Sequence, residues 1–127
     1  MGPLGKARPV VIICTRDRKL SLPFYRDTLG LKFVSEDPFA AAFEVGGAPL
    51  RLSTVEGWTP HAHTVFGFSV DDIAATVGAL AVKGVNMIRY PGFEQDDLGV
   101  WVSPDGAAKI AWFNDPDGNN LSLAEMA

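Results

Sequence analysis

The chain repeats one pattern twice, and this repeat constrains the fold more than any other feature. In each copy an apolar, strand-like run is followed by an aspartate, a helix-like segment and a glycine. The aspartates Asp17 and Asp72 lie 55 residues apart, and the helix-like segments end at Gly30 and Gly84. Aspartate is a favoured helix N-cap, and glycine tolerates the left-handed conformation in which many helices end. We interpret the repeat as an internal duplication of a unit of about 55–60 residues.

The first copy has the pattern β-α-β-β-β. A β-branched run at residues 10–14 predicts a buried strand, and alternation places Val10, Ile12 and Cys14 on one face. A helix follows, and Pro23 is tolerated only in a first turn, so this helix is expected to begin late or loosely. Three further strands are predicted at residues 31–35, 39–45 and 50–54.

The second copy begins with a strand at residues 64–70. A helix with Ile73, Val77 and Leu80 on one face follows, and then a strand at about residues 86–90. Relative to the first copy, this one carries an insertion at residues 91–106.

A hairpin at the sequence Asp-Pro-Asp-Gly-Asn, residues 115–119, closes the chain. Pro116 fixes φ near −65°, and Gly118 can adopt a positive φ. Alternation in the next strand directs Leu121, Leu123 and Glu125 to one face, and Ser122 and Ala124 to the other. The small side chains indicate a sheet that lines a cavity.

The composition excludes several classes of protein. A net charge of −4 without a basic cluster argues against nucleic-acid binding. No apolar run approaches the ~20 residues of a membrane span, and residues 1–9 lack a secretion signal. Cys14 is the only cysteine, so a cytoplasmic protein without internal disulfides is expected. The 127 residues suit a single domain, 1–127, with modules at about 8–55 and 63–126.

Three segments resemble the vicinal oxygen chelate superfamily, which includes glyoxalases, bleomycin-resistance proteins and extradiol dioxygenases. Residues 24–31 (FYRDTLGL) resemble its first-helix signature, residues 68–72 (FSVDD) the start of its second module, and residues 115–119 its closing hairpin. The resemblance implies an α+β fold in which two βαβββ modules form a half-barrel around a ligand. Such half-barrels leave sheet edges that pair readily, so we expect a homodimer.

The resemblance also implies where a metal would bind. Metal-dependent members hold a divalent ion with four His, Gln or Glu side chains, one on each of four strands. The matching positions here are Val10, Arg51, Val65 and Ser122. Valine has no lone pair, arginine stays protonated, and a serine hydroxyl is a poor ligand. We therefore expect neither a metal nor another cofactor.

Arg51 is the main candidate for a ligand contact. Its neighbours Leu50 and Leu52 should face the helices, which places Arg51 and Ser53 on the concave face. A guanidinium there needs a carboxylate, supplied either by a ligand or by the chain. The chain's candidates are the acidic residues of the insertion: Glu94, Asp96 and Asp97.

Other residues could line or wall the cavity. Trp58, Phe93 and Trp101 lie on irregular segments, and core or dimer packing is the alternative for each. Cys14 shares the inward face as a small hydrophobe, or as a thiol activated by Arg16. The inferred concave positions with small side chains are Ser53, Gly67, Ser69, Ser122 and Ala124.

The two histidines, His61 and His63, could chelate a metal at the rim of the cavity. An i, i+2 pair in a strand shares one face. Both residues follow a Trp-Thr-Pro segment between the modules, however, and only two imidazoles converge. We favour solvent-facing linker histidines.

These observations predict metal-independent binding of a small aromatic or anionic molecule in the cavity. Alternatives are a metal-dependent lyase or dioxygenase with non-standard ligands, and an interaction module without a small ligand. Whether any reaction is catalysed stays open, and no catalytic residue is predicted. The predicted ligand-binding residues are Arg51, Ser53, Trp58, Ser122, Trp101 and Cys14.

Overall fold

A computed structural model of the chain describes residues 2–127. The chain divides into two compact units, one ending at Trp58 and the other beginning at Thr59. Each unit contains one four-stranded sheet. No helix among residues 2–127 is long and apolar enough to cross a membrane.

The first unit contains four strands and one helix. The sheet order is β1-β4-β3-β2, with β1 parallel to β4 and the other pairs antiparallel. Its elements are β1 (Val11–Thr15), α1 (Arg18–Pro23), a π-helical turn (Phe24–Thr28), β2 (Lys32–Glu36), β3 (Ala40–Val45) and β4 (Ala48–Thr54).

The second unit repeats this connectivity. Its sheet order is β5-β8-β7-β6, again with one parallel pair, β5 with β8. The predicted α+β fold of two βαβββ modules is therefore confirmed. The elements are β5 (Thr64–Ser69), α2 (Ile73–Val82), β6 (Trp101–Val102), β7 (Ala108–Asn114) and β8 (Asn120–Met126).

Strand alternation builds the core of each unit from one face of its sheet. In the first unit the core residues exposed by 1% or less include Ile13, Tyr25, Phe43, Leu50 and Leu52. In the second unit the buried hydrophobic residues of α2, β7 and β8 are Ile73, Val77, Leu80, Ala111, Phe113, Leu121 and Leu123. The opposite face of each sheet carries the predicted small and polar side chains, including Ser53 and Ser122.

The expected late start of the first helix is wrong. Asp17 caps α1 by accepting a hydrogen bond from the Lys19 N–H at 3.0 Å, so the helix begins at Arg18. Because Pro23 has no N–H to continue the ladder, α1 ends there and the chain widens into the π-helical turn. Gly30 ends this segment at φ 74°, as predicted.

The predicted strand at residues 86–90 is absent from the described residues. One backbone hydrogen bond, from Ile88 N to Trp112 O at 2.7 Å, ties this segment to β7. Gln95 of the insertion also holds the segment, since its side-chain amide bonds the carbonyl oxygen of Ile88 and the N–H of Tyr90. Its apolar residues therefore belong to an irregular connection between α2 and β6.

Candidate functional site

Four aromatic side chains of the second unit, Tyr90, Phe93, Trp101 and Trp112, form an aromatic cluster. The ring centroids of Tyr90 and Trp112 are 5.4 Å apart, with the rings edge to face. Phe93 lies 5.8 Å from Trp101 and 5.8 Å from Trp112. These separations are typical of favourable aromatic pairs.

Alternation in β7 positions the centre of this cluster. Ala111 and Phe113 are fully buried on the helix side of the sheet, so Trp112 lies on the opposite face, in register with Ser122 of β8. Trp101 begins β6, and the connection between α2 and β6 supplies Tyr90 and Phe93.

Three residues of the aromatic cluster, Tyr90, Phe93 and Trp112, form one wall of a pocket of about 330 Å³, which we call the aromatic pocket. The Thr64 hydroxyl donates to Asn120 Oδ1 at 2.7 Å, and Asn120 Nδ2 donates to the Tyr90 hydroxyl oxygen at 2.8 Å. Asn120 is only 4% exposed, so this chain of hydrogen bonds has a fixed inner end. The residues lining the aromatic pocket include Tyr90, Phe93, Trp112, His63, Thr64 and Asn120.

The side chain of Gln95 holds the connection that carries Tyr90. Gln95 Nε2 donates to the carbonyl oxygens of Ile88 and Gly99, both at 2.8 Å. Its Oε1 accepts from the Tyr90 backbone N–H at 2.8 Å. One amide thus satisfies three backbone groups and positions Tyr90 at the pocket.

Asp115 organises the hairpin that joins β7 and β8. Its Oδ1 accepts from the N–H groups of Asp117 and Asn119, both at 2.9 Å, and its Oδ2 accepts from Asn119 Nδ2 at 2.9 Å. Gly118 adopts φ 90°, as the turn requires. The hairpin therefore sets the register that brings Trp112 opposite Ser122.

Three predicted site residues of the first unit share one face of its sheet. Cys14 lies in register with Ser53, Arg51 is two residues away on the same strand, and all three are half-buried. Arg51 Nη2 lies 3.6 Å from Asp37 Oδ2, so the carboxylate beside it comes from the β2–β3 turn and not from the insertion. Trp58 is half-buried at the end of this unit.

The turn that contains Asp37 lowers the pKa of its carboxyl. Its Oδ1 accepts from the N–H groups of Phe39 and Ala40 at 2.8 and 2.9 Å. These two hydrogen bonds lower the pKa of the Asp37 carboxyl, and the Arg51 guanidinium lowers it further.

The other two predicted residues, Ser122 and Trp101, lie in the second unit. A Cβ at Gly67 would come within 2.7 Å of Ser122 Oγ, so glycine leaves space for that hydroxyl. The Trp101 and Trp112 centroids are 6.4 Å apart, which makes Trp101 the predicted residue that belongs to the aromatic cluster. Phe93, proposed as a wall, belongs to it too.

Sequence reasoning missed Tyr90, Trp112, Asn120 and Thr64 as parts of the site. The signal for Trp112 was available, because this residue lies in the apolar run that leads into the predicted hairpin. Tyr90 ends the predicted strand at residues 86–90, which does not form. His61 and His63 are exposed as expected, with ring centroids 5.5 Å apart, although His63 also lines the aromatic pocket.

The donor set at the four metal positions does not fit a divalent cation. Val10 is apolar and 48% exposed, Val65 is apolar, Arg51 is cationic, and Ser122 offers a lone hydroxyl. Within the part of the chain that the structure describes, no three or more His, Cys, Asp or Glu side chains gather where they could hold a metal ion.

Comparison with known proteins gives consistent matches. The family model of the Glyoxalase/Bleomycin resistance protein/Dioxygenase superfamily matches residues 8–123. A Haemophilus influenzae protein named lactoylglutathione lyase is 30% identical over 125 residues, covering 86% of this chain and 84% of that protein.

Solved structures resemble the chain over nearly its full length. A protein from Bacillus anthracis assigned to the glyoxalase family has a TM-score of 0.78 at 16% identity, covering 100% of both chains. A member of the same superfamily from Sphaerobacter thermophilus has a TM-score of 0.72 at 25% identity, covering 93% of this chain and 95% of the other. The sequence match and the structural likeness agree.

Proposed function

We propose a binding function for this chain, which belongs to the Glyoxalase/Bleomycin resistance protein/Dioxygenase superfamily. It is a metal-independent member that binds a small aromatic molecule. The aromatic pocket is the binding site. The observation that carries this proposal is the aromatic cluster, which walls a pocket instead of filling a closed core. Phe93 is 49% exposed, and Trp112 is only half-buried.

The size and lining of the aromatic pocket support a small planar ligand. About 330 Å³ lies at the lower end of the volumes typical of ligand sites. The rings of Phe93 and Trp112 offer apolar faces, while Thr64, Asn120 and Tyr90 offer a polar edge. Such a combination orients a flat molecule that has one polar substituent.

The side chains at the four positions that match the metal ligands of relatives support metal independence. Each of the four positions at which metal-dependent relatives hold their ion lacks a His, Gln or Glu. As a separate proposal, Arg51 contacts an anionic group of a ligand that binds on the sheet face of the first unit. Its side chain is 43% exposed and therefore accessible.

A second candidate function is that of the relative named lactoylglutathione lyase, whose 30% identity favours it. Rearrangement of a hemithioacetal depends on a metal that polarises the substrate and on a carboxylate base among its ligands. Those groups are missing at the matching positions. We expect no turnover of the methylglyoxal–glutathione adduct above buffer. Turnover that is lost on adding chelator would favour the lyase instead.

Isothermal titration calorimetry with a planar bicyclic probe, 1-indanone, tests the binding proposal. Trp112→Leu removes the central ring of the aromatic cluster and should weaken binding about 10-fold or more, because stacking on an aromatic face is worth roughly 1–3 kcal/mol. Phe39→Leu is the matched control, since Phe39 is an exposed aromatic residue of the first unit. No binding by the wild type, or equal loss in both variants, would contradict the proposal.

A further inference from the structure

We infer that the aromatic pocket donates a hydrogen bond to its ligand through the Tyr90 hydroxyl, and so selects neutral aromatic compounds with an acceptor oxygen, such as aryl ketones, quinones or lactones. This inference rests on the proposed function and specifies the chemistry of its ligand. The observation behind it is the chain of hydrogen bonds that runs from Thr64 through Asn120 to Tyr90.

The orientation of the Asn120 amide gives this chain of hydrogen bonds its direction. Because the Thr64 hydroxyl donates to Asn120 Oδ1, the amide nitrogen of Asn120 faces Tyr90 and donates to the phenolic oxygen. Asn120 is buried, and its backbone is held in register with Thr64 on one side and Asn114 on the other. Asn120 therefore presents a donor to Tyr90.

The proton of the Tyr90 hydroxyl is consequently directed away from Asn120. A phenol has one hydrogen to donate, and its oxygen is already accepting. Among residues 2–127, the Tyr90 hydroxyl has no hydrogen bond except the one from Asn120. Tyr90 lines the aromatic pocket and is half-buried, so a bound molecule with an acceptor can accept a hydrogen bond from this hydroxyl.

The lining also indicates the charge of that acceptor. The residues described around the aromatic pocket include no Asp, Glu, Lys or Arg, and the one histidine among them, His63, is exposed. A carboxylate held at Tyr90 would lose hydration beside the neutral polar groups of Thr64, Asn120 and Tyr90, whereas a carbonyl oxygen loses little. The acceptor is therefore neutral.

Three probes of similar size and shape separate the contribution of the hydrogen bond from that of the aromatic contacts. 1-Indanone carries an acceptor, indole carries a donor, and indene carries neither. By calorimetry the wild type should bind 1-indanone about 3- to 10-fold more tightly than indene or indole, as expected for one net hydrogen bond. In Tyr90→Phe this preference should disappear, while the affinity for indene stays unchanged.

Asn120→Asp reverses the direction of the chain and gives a second, independent test. A carboxylate at this position accepts from both Thr64 and Tyr90, so the Tyr90 oxygen is left to accept from the ligand. The preference should then switch from 1-indanone to indole. Circular dichroism checks the folding of this variant, and if it does not fold, the Tyr90→Phe comparison decides alone.

The outcomes distinguish this inference from the proposed function. If the wild type binds all three probes equally, or if Tyr90→Phe weakens 1-indanone and indene alike, the hydroxyl makes no donor contact and the inference fails while the aromatic pocket stands. If the wild type binds none of the probes, the proposed function fails and takes the inference with it.

Discussion

Arg51 lies on the face of β4 opposite to its buried neighbours Leu50 and Leu52. Its guanidinium nitrogen Nη2 is 3.6 Å from Oδ2 of Asp37, which reaches it from the turn between β2 and β3. Both side chains are about half exposed, so the pair lies at the surface and the guanidinium is accessible.

Replacing Arg51 tests its proposed role as an anion contact. Both partners of the Arg51–Asp37 pair are about half exposed, so Arg51→Met should change the free energy of unfolding by no more than about 1 kcal/mol in urea denaturation. Binding of indole-2-carboxylate should weaken about 10-fold, and binding of indole should not change. Arg26→Met, which removes another exposed ion pair, is the control. Unchanged binding of indole-2-carboxylate would show that Arg51 makes no contact with this ligand.

The Asp37 carboxyl predicts a pH dependence of stability. Its pKa is lowered in the folded chain, chiefly by the backbone N–H groups of Phe39 and Ala40. Such a group stabilises the fold above its unfolded pKa, and this contribution is lost as the pH falls through the folded pKa. The difference in urea midpoint between wild type and Asp37→Asn should be largest at neutral pH and vanish in acid. A difference that does not change with pH would contradict this account.

At the scale of elements, the hairpin at residues 115–119 was predictable because its conformation is encoded locally. Proline sets one φ, glycine adopts a positive φ, and an aspartate accepts from backbone groups two and four residues further along. The connection between α2 and β6 was not predictable in this way. Its conformation depends on Gln95, whose three backbone partners are spread over residues 88–99.

Asp115→Ala should destabilise the second unit by about 3 kcal/mol, because it leaves several buried donors without their acceptor. Urea denaturation measures the loss. Asp105→Ala is the matched control, since Asp105 accepts from Ser103 and Ala107 in a similar but exposed turn. Its effect should be clearly smaller, and equal effects would show that burial of the hairpin is unimportant.

Gln95→Leu should loosen the connection that positions Tyr90. The substitution leaves three backbone groups without their partner, at a cost of about 1–3 kcal/mol. Hydrogen exchange at the Tyr90 amide should accelerate, and 1-indanone should bind more weakly. Asn86→Leu, at an exposed position of the same connection, should change neither quantity. Unaltered exchange at Tyr90 in Gln95→Leu would show that Gln95 does not hold this segment.

At the scale of the whole molecule, the duplication of strand, cap and helix together with the family resemblance predicted both βαβββ modules, although β6 lies at Trp101–Val102 and not at residues 86–90. Alternation alone also predicts that small residues such as Ser122 share one face of the sheet. The walls of the aromatic pocket were only partly found, because Tyr90 and Phe93 come from a segment without periodicity. A non-periodic segment is positioned by tertiary contacts, which no local pattern encodes.

The predicted homodimer is a further property of the whole molecule. Open sheet edges favour pairing between copies of the chain. Sedimentation equilibrium should give a mass twice the 13.6 kDa of the chain, independent of concentration in the micromolar range. A mass equal to that of one chain would contradict the prediction.

Metal-independent binding is the central claim, and a calorimetric titration of chelator-treated protein with 1-indanone tests it most directly. The same titration is repeated after adding one equivalent of Zn²⁺, Ni²⁺ or Mn²⁺. We expect the same Kd in every titration. Before metal is added, no sample should contain a stoichiometric amount of metal. Binding that appears only after a metal is restored, or one metal ion per chain in protein purified without chelator, would contradict it.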